Sequence, residues 1–168
     1  MKFAPQFKIG MLFISLVCLA FCWSYFYQAG GMLFLVKDHQ IITLHLKTHF
    51  FSPSKKQLRV EVVKMPASKT QGLSARKSML DQAGRAIDGM LFVFANKQRQ
   101  SFWMKDMLFD LDICWLKDNQ FLACQRQATA QEPQIIYHSP SPSNLVLETL
   151  PGKLTELDLQ TKLFFRFN

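Results

Sequence analysis

In the stretch "FDLDICW", apolar and polar residues alternate position by position. Phe109, Leu111, Ile113 and Trp115 share one side of an extended chain, and Asp110, Asp112 and Cys114 share the other. A repeat of two cannot be laid on a helix without scattering its apolar residues round the axis, so this run is a strand. "LRVEVVK" repeats the pattern, with Leu58, Val60 and Val62 set against Arg59 and Glu61. "DGMLFVF", "SFWMKD", "NLVLETL" and "TKLFFRF" read as further strands, "NKQRQ" as a turn, and "KSMLDQAGRAI" and "QEPQIIYHSPSPS" as loops. Helix is scarce. Pro66 suits a first helical turn and Gly72 suits its end. The fold class expected is mainly β (small α+β), a compact rolled or barrel-like sheet with one or two short helices.

The amino terminus follows a different rule. No charge occurs from Ile9 to Val36, and Ile9 to Tyr27 is nearly long enough to span a bilayer, which takes about 20 residues. Lys2 and Lys8 precede the segment, while Trp23, Tyr25 and Tyr27 crowd its far end. That asymmetry predicts a single-pass transmembrane helix with its amino terminus in the cytoplasm and an aromatic belt at the outer interface. The membrane is thus an expected partner through residues 9–27. Residues 1–30 are expected to form a cytoplasmic stub and anchor in a bacterial inner membrane, with the rest of the chain in the periplasm or at the cell exterior. Cleavage after Cys18-Leu19-Ala20 is the competing reading.

Residues 31–57 read as a hairpin turning at Lys37-Asp38-His39-Gln40, followed by the linker "FFSPSKKQ". Residues 58–168 form the expected extracytoplasmic domain, large enough to fold without staples. Asp118-Asn119 suits a two-residue hairpin turn, which would pair Leu116 with Phe121 and Cys114 with Ala123. Cys114 and Cys124 would then face opposite ways and stay unbonded despite an oxidising location.

Lys+Arg is 20 against Asp+Glu 12, a net charge of +8 that favours anionic partners. The basic residues are dispersed, and neither zinc-finger spacing nor an RNA-binding signature accompanies them, so nucleic acid is not an expected partner. No cofactor motif is present. Asp106, Asp110 and Asp112 lack the glycine-bearing loop of a dedicated calcium site, and His45-x3-His49 flanks a strand end, so no metal site is expected. Ser74-x-x-Lys77 lacks the partner motifs of a penicillin-binding nucleophile.

"GLSAR", "GMLFVF", "SFWMKDMLFDLDI" and "NLVLETLPG" occur in this order and resemble the domain of unknown function 192 family. The resemblance covers roughly Leu58 to Phe167. It implies a small, mostly β domain, often secreted or anchored, and no established activity. The matching positions include Gly72, Leu73, Arg76, Gly89, Phe92, Trp103, Met104, Lys105, Asp112 and Glu148. This chain departs from the family pattern at Asp106, Met107 and Asp110, where asparagine, threonine and proline are preferred.

These motifs nominate a polar rim. Arg76 and Lys105 would hold an anion, Trp103 or Met104 would form the groove wall, and Glu148 or Asp112 would orient Lys105. Asp106 completes the set of candidate ligand-binding residues. The bland alternative is an exposed ion pair on a sheet, contributing about 0–1 kcal/mol. The function expected is a binding or accessory module for a polar or anionic envelope ligand. A small hydrolase using Asp112 and Glu148, and an envelope docking module using Trp103 and nearby methionines, are the alternatives.

Overall fold

The computed structural model describes residues 36–49, 51–155 and 161–166, together with Ser15, Cys18, Leu33 and Leu35. The predicted anchor over residues 9–27 lies outside the described residues, Ser15 and Cys18 apart. No helix among the described residues is long and apolar enough to cross a membrane. One compact unit covers Val36–Asn168.

That unit is a closed barrel of seven strands. In spatial order they are β1 (Ile41–Lys47), β2 (Lys56–Val63), β3 (Gly89–Gln98), β8 (Ser143–Thr149), β5 (Leu111–Lys117), β6 (Gln120–Ala128) and β9 (Lys162–Arg166). Closure runs through β9 pairing with β1. A separate two-stranded ribbon joins β4 (Ser101–Trp103) to β7 (Ile136–His138). The expected rolled, mainly β fold is present, with one short helix, α1 (Pro66–Gln71), among the described residues of this unit.

The hairpin expected around Lys37–Gln40 does not form as read. Ile41–Lys47 pairs with β2, and so the residues assigned to hairpin and linker supply the first barrel strand. The four-residue gap between apolar runs, Lys37 to Gln40, turns at Asp38 and His39, but the strand after it finds its partner beyond Ser54 and Lys55. His39, at φ +61, and Asp38 anchor this turn on the end of β2: His39 N–H donates to the Val62 carbonyl, and Asp38 accepts from Lys64 N–H.

All barrel pairings are antiparallel except β2 with β3. A parallel pair cannot be closed by a hairpin and needs a crossover. Residues 64–88 make it, carrying α1 across the outside of the sheet. Pro66 opens α1, and Gly72, at φ +48, ends it while donating to the Ser68 carbonyl.

Because the crossover lies on the sheet, four strands are buried on both faces. Inside the barrel, Val62, Leu91, Leu147 and Cys114 lie in one cross-strand row. Outside it, Val63, Phe92, Val146 and Trp115 form another, covered by Leu73, Met79, Met104 and Met107. The polar positions that alternation gives Asp112 on β5 and Glu148 on β8 are therefore not turned to water: the two residues are 1% and 5% exposed.

The cysteine expectation is also overturned. Asp118, at φ +56, and Asn119 form the two-residue turn, and Leu116 pairs with Phe121 as read. A β-bulge at the next step leaves Leu122 without a counterpart. Trp115 then faces Ala123 and Cys114 faces Cys124, and the two sulfurs are joined in a disulfide. One extra residue inverts every side chain beyond it.

Candidate functional site

The outer core is open on one side. Between α1 and β4 lies a cavity of about 430 Å³, walled by Phe92, Phe94, Phe102 and Trp103, with Lys69 and Gln71 on the helix side. A second hollow of about 680 Å³ adjoins it, sharing Thr70, Gln71, Ser74 and Trp103 and adding Lys105 and Asp106. The two form one groove with an aromatic inner part and a polar outer part.

Sequence and topology explain each wall. Phe92 and Phe94 sit two apart on β3, so both project to its outer face. Phe102 of β4 meets them edge-on, with ring centroids 4.9 Å from Phe92 and 6.4 Å from Phe94. Gly72 allows the helix end to approach closely; a Cβ there would lie 3.2 Å from the tip of Phe92. The outer walls are tied together by main-chain bonds. Ala75 N–H donates to the Asp106 carbonyl (2.8 Å) and Ser74 Oγ to the Lys105 carbonyl (3.1 Å).

Two lysines lie over aromatic faces. Lys69 Nζ is 4.5 Å from the Phe94 centroid, and Lys105 Nζ is 5.4 Å from that of Trp103. Neither is in an ion pair with a carboxylate among the described residues. Such contacts hold an ammonium in place for about 0.5–1 kcal/mol while leaving its protons free for another acceptor.

Glu148 lines the inner cavity. Its strand neighbours are Met90 on one side and Ile113 on the other, and no hydrogen bond or ion pair reaches its carboxyl among the described residues. Burial alone pushes it up to about 8. At neutral pH it is mostly a protonated acid.

The other predicted site residues disperse. Arg76 is engaged with the carboxylate of Glu61, which alternates with apolar neighbours on β2. Glu61 is fully buried outside the barrel, and Arg76 grips it through two bonds of 2.7 and 3.0 Å while also donating to the Leu80 carbonyl. His39 Nδ1 lies 2.7 Å from the same carboxylate. Burial pushes Glu61 up, but Arg76 and His39 more than reverse that and hold it below its ordinary range. Met104 is buried in the outer core rather than at the groove surface. Asp112 faces into the barrel end, where it accepts from Gln127 N–H, Arg126 Nη1 and Gly152 N–H. It pairs with Thr149, whereas Glu148 pairs with Ile113, so Asp112 and Glu148 point to opposite faces of the sheet. They share no site and neither orients Lys105, which rests on Trp103. Asp110 accepts from Ala130 N–H, and the described residues contain no group of three potential metal ligands.

Trp103, Lys105, Asp106 and Glu148 thus belong to the groove. Asp106 stands at φ +58, which short polar side chains tolerate best. The family's asparagine and this chain's aspartate both meet that backbone requirement. Lys69, Gln71, Phe92, Phe94 and Phe102 are groove residues that the sequence did not nominate for the site. Their signal was the spacing of "FVF" on a strand facing the "PASKTQG" crossover.

The solved structures most informative here show the fold alone. A candidate transcription regulator from Sinorhizobium meliloti 1021 is similar with a TM-score of 0.64 and 22% identity, over 77% of this chain and 97% of that one. A protein of unknown function from Novosphingobium aromaticivorans DSM 12444 is similar with a TM-score of 0.61 and 20% identity, over 79% of this chain and 89% of that one. No curated protein matches the sequence. The family model of DUF192, described as "Uncharacterized ACR", matches residues 49–162, and on that match the chain belongs to this family.

Proposed function

We propose that this protein is a binding module for a small ligand that joins a flat apolar body to an anionic group. The observation that carries this reading is the pair of lysines laid over groove aromatics without a carboxylate partner. Aromatic walls accept a flat body by stacking, and Lys69 and Lys105 meet its anion by charge-assisted bonds. The concave, largely apolar shape is that of a small-molecule site. A ligand of the cell envelope is the source this reading favours. Its supports are the charge pattern around residues 9–36 and the Cys114–Cys124 disulfide, which suits an oxidising compartment.

Calorimetric titration with 4-methylbenzoate, a flat anion, tests the reading. Wild-type protein and Arg99→Ala should bind alike. Lys69→Ala and Lys105→Ala should each bind roughly tenfold more weakly, the loss of one charge-assisted bond. Equal affinity in all four proteins rejects the lysines as the anion site.

A docking surface is the second reading. Trp103 and Ile136 are cross-strand neighbours on the β4–β7 ribbon and are 55% and 51% exposed. A partner protein seated there would cover the groove mouth, and 4-methylbenzoate would then compete with it.

A further inference from the structure

We infer that the groove's ligand is zwitterionic: a cationic amine docks against Glu148 among the inner aromatic rings, while its anionic end reaches the lysines. This rests on the proposed binding reading and names the ligand class for the same groove.

The argument starts from what Glu148 lacks. A carboxyl this deeply buried normally has a hydrogen-bond donor or cation beside it, because the unpaired group costs folding free energy. Glu148 has neither among the described residues, and Met90 and Ile113 flank it along the sheet. The nearby charged groups are otherwise placed. Glu61, in the same cross-strand row beyond Met90, is held by Arg76 and His39. Lys69 rests on Phe94 and Lys105 on Trp103, while Asp106 lines only the outer hollow. The unmet demand at Glu148 is for a donor that enters through the cavity.

The aromatic walls say which donor. Phe92, Phe94, Phe102 and Trp103 enclose the inner cavity, and ring faces attract ammonium groups. A carboxylate within such a cage is the usual chemistry for capturing an amine. A simple cation would still meet two lysines on its way in, which repel it. A ligand carrying an anion at its other end converts that repulsion into attraction.

Proton bookkeeping makes the inference distinct from anion binding alone. Free Glu148 is mostly protonated at pH 7, because burial lifts it to about 8. Ion pairing with an ammonium needs the carboxylate, so the Glu148 proton leaves to solvent as the complex forms. The amine keeps its own proton. Affinity should therefore rise close to tenfold per pH unit below about pH 8 and level off above it. A ligand that only accepted a hydrogen bond from the protonated acid would keep a constant affinity below about pH 8 and lose it above.

The test uses three probes of one shape on the protein: 4-(aminomethyl)benzoate, 4-methylbenzoate and benzylamine. Titrations at pH 7 in phosphate and in Tris, whose ionisation heats differ, count the protons exchanged. The zwitterion should bind at least tenfold more tightly than 4-methylbenzoate and release close to one proton. Glu148→Gln should remove both the preference and the release. Anion and zwitterion binding equally, without proton release, would overturn this inference and leave the proposed function standing. Benzylamine binding as tightly as the zwitterion, with proton release, would keep Glu148 as the amine site and refute the anion reading. Binding of none of the three would overturn both.

Discussion

At the residue scale, the structure separates charged groups that hold the fold from charged groups at the groove. Arg76 belongs to the first kind. Removing it strands Glu61 without its main partner in a buried position, and breaking such a pair costs about 3–5 kcal/mol. We expect Arg76→Ala to lower stability by that order, and Lys105→Ala to change it by no more than about 1 kcal/mol. Urea denaturation decides; equal small effects would mean that Glu61 is not held as described. Glu148 gives a prediction of opposite sign. Its carboxyl titrates higher in the folded chain than unfolded, so the folded state holds its proton more tightly. Its contribution is neutral below the unfolded value near 4.5, becomes destabilising as pH rises towards about 8, and is flat above. Glu148→Gln should therefore stabilise the protein at pH 8 by roughly 2–4 kcal/mol and leave it almost unchanged at pH 4. Melting curves across that range test the sign, and an equal effect at both ends would place the carboxyl in contact with water.

At the element scale, alternation identified most barrel strands because a strand's two-residue period survives in the sequence however the strands are ordered. What it could not show is which face meets water. Alternation sets Asp112 and Glu61 on the polar sides of their strands; a closed barrel buries one and the crossover buries the other. The parallel β2–β3 pairing that creates the groove leaves no local signature, since it is fixed by long-range packing. The bulge at Leu122 is equally silent, and with it went the cysteine pairing. The strand β7 was lost inside a proline-rich loop. Gly89 was legible only as part of a motif, yet a Cβ there would lie 2.3 Å from the Glu148 carbonyl oxygen and 2.9 Å from Thr149 Cγ2. Gly89→Ala must push β3 off β8, and overpacking of this kind costs about 1–3 kcal/mol. We expect a destabilised protein whose 4-methylbenzoate affinity also falls, since β3 carries Phe92 and Phe94. Normal stability would show that the two strands can separate freely.

At the scale of the whole molecule, a barrel with a second, outer core gives the groove a rigid floor and places its lysines on the crossover and the β4 turn, away from the barrel interior. The location of the molecule is a separate proposal resting on residues 9–36. Protease added to intact spheroplasts should digest the Val36–Asn168 unit and leave a membrane-bound stub; full protection would overturn that topology. The central claim is that the groove between α1 and β4 is the binding site. Its most direct test is a nuclear magnetic resonance titration of isotope-labelled protein with 4-methylbenzoate, following the Trp103 indole N–H and the backbone amides of Lys69, Gln71 and Lys105. The account predicts saturable shifts confined to these positions and their neighbours, weakened at least tenfold in the Lys69→Ala/Lys105→Ala double variant. Shifts centred elsewhere, or unchanged affinity in the double variant, would contradict it.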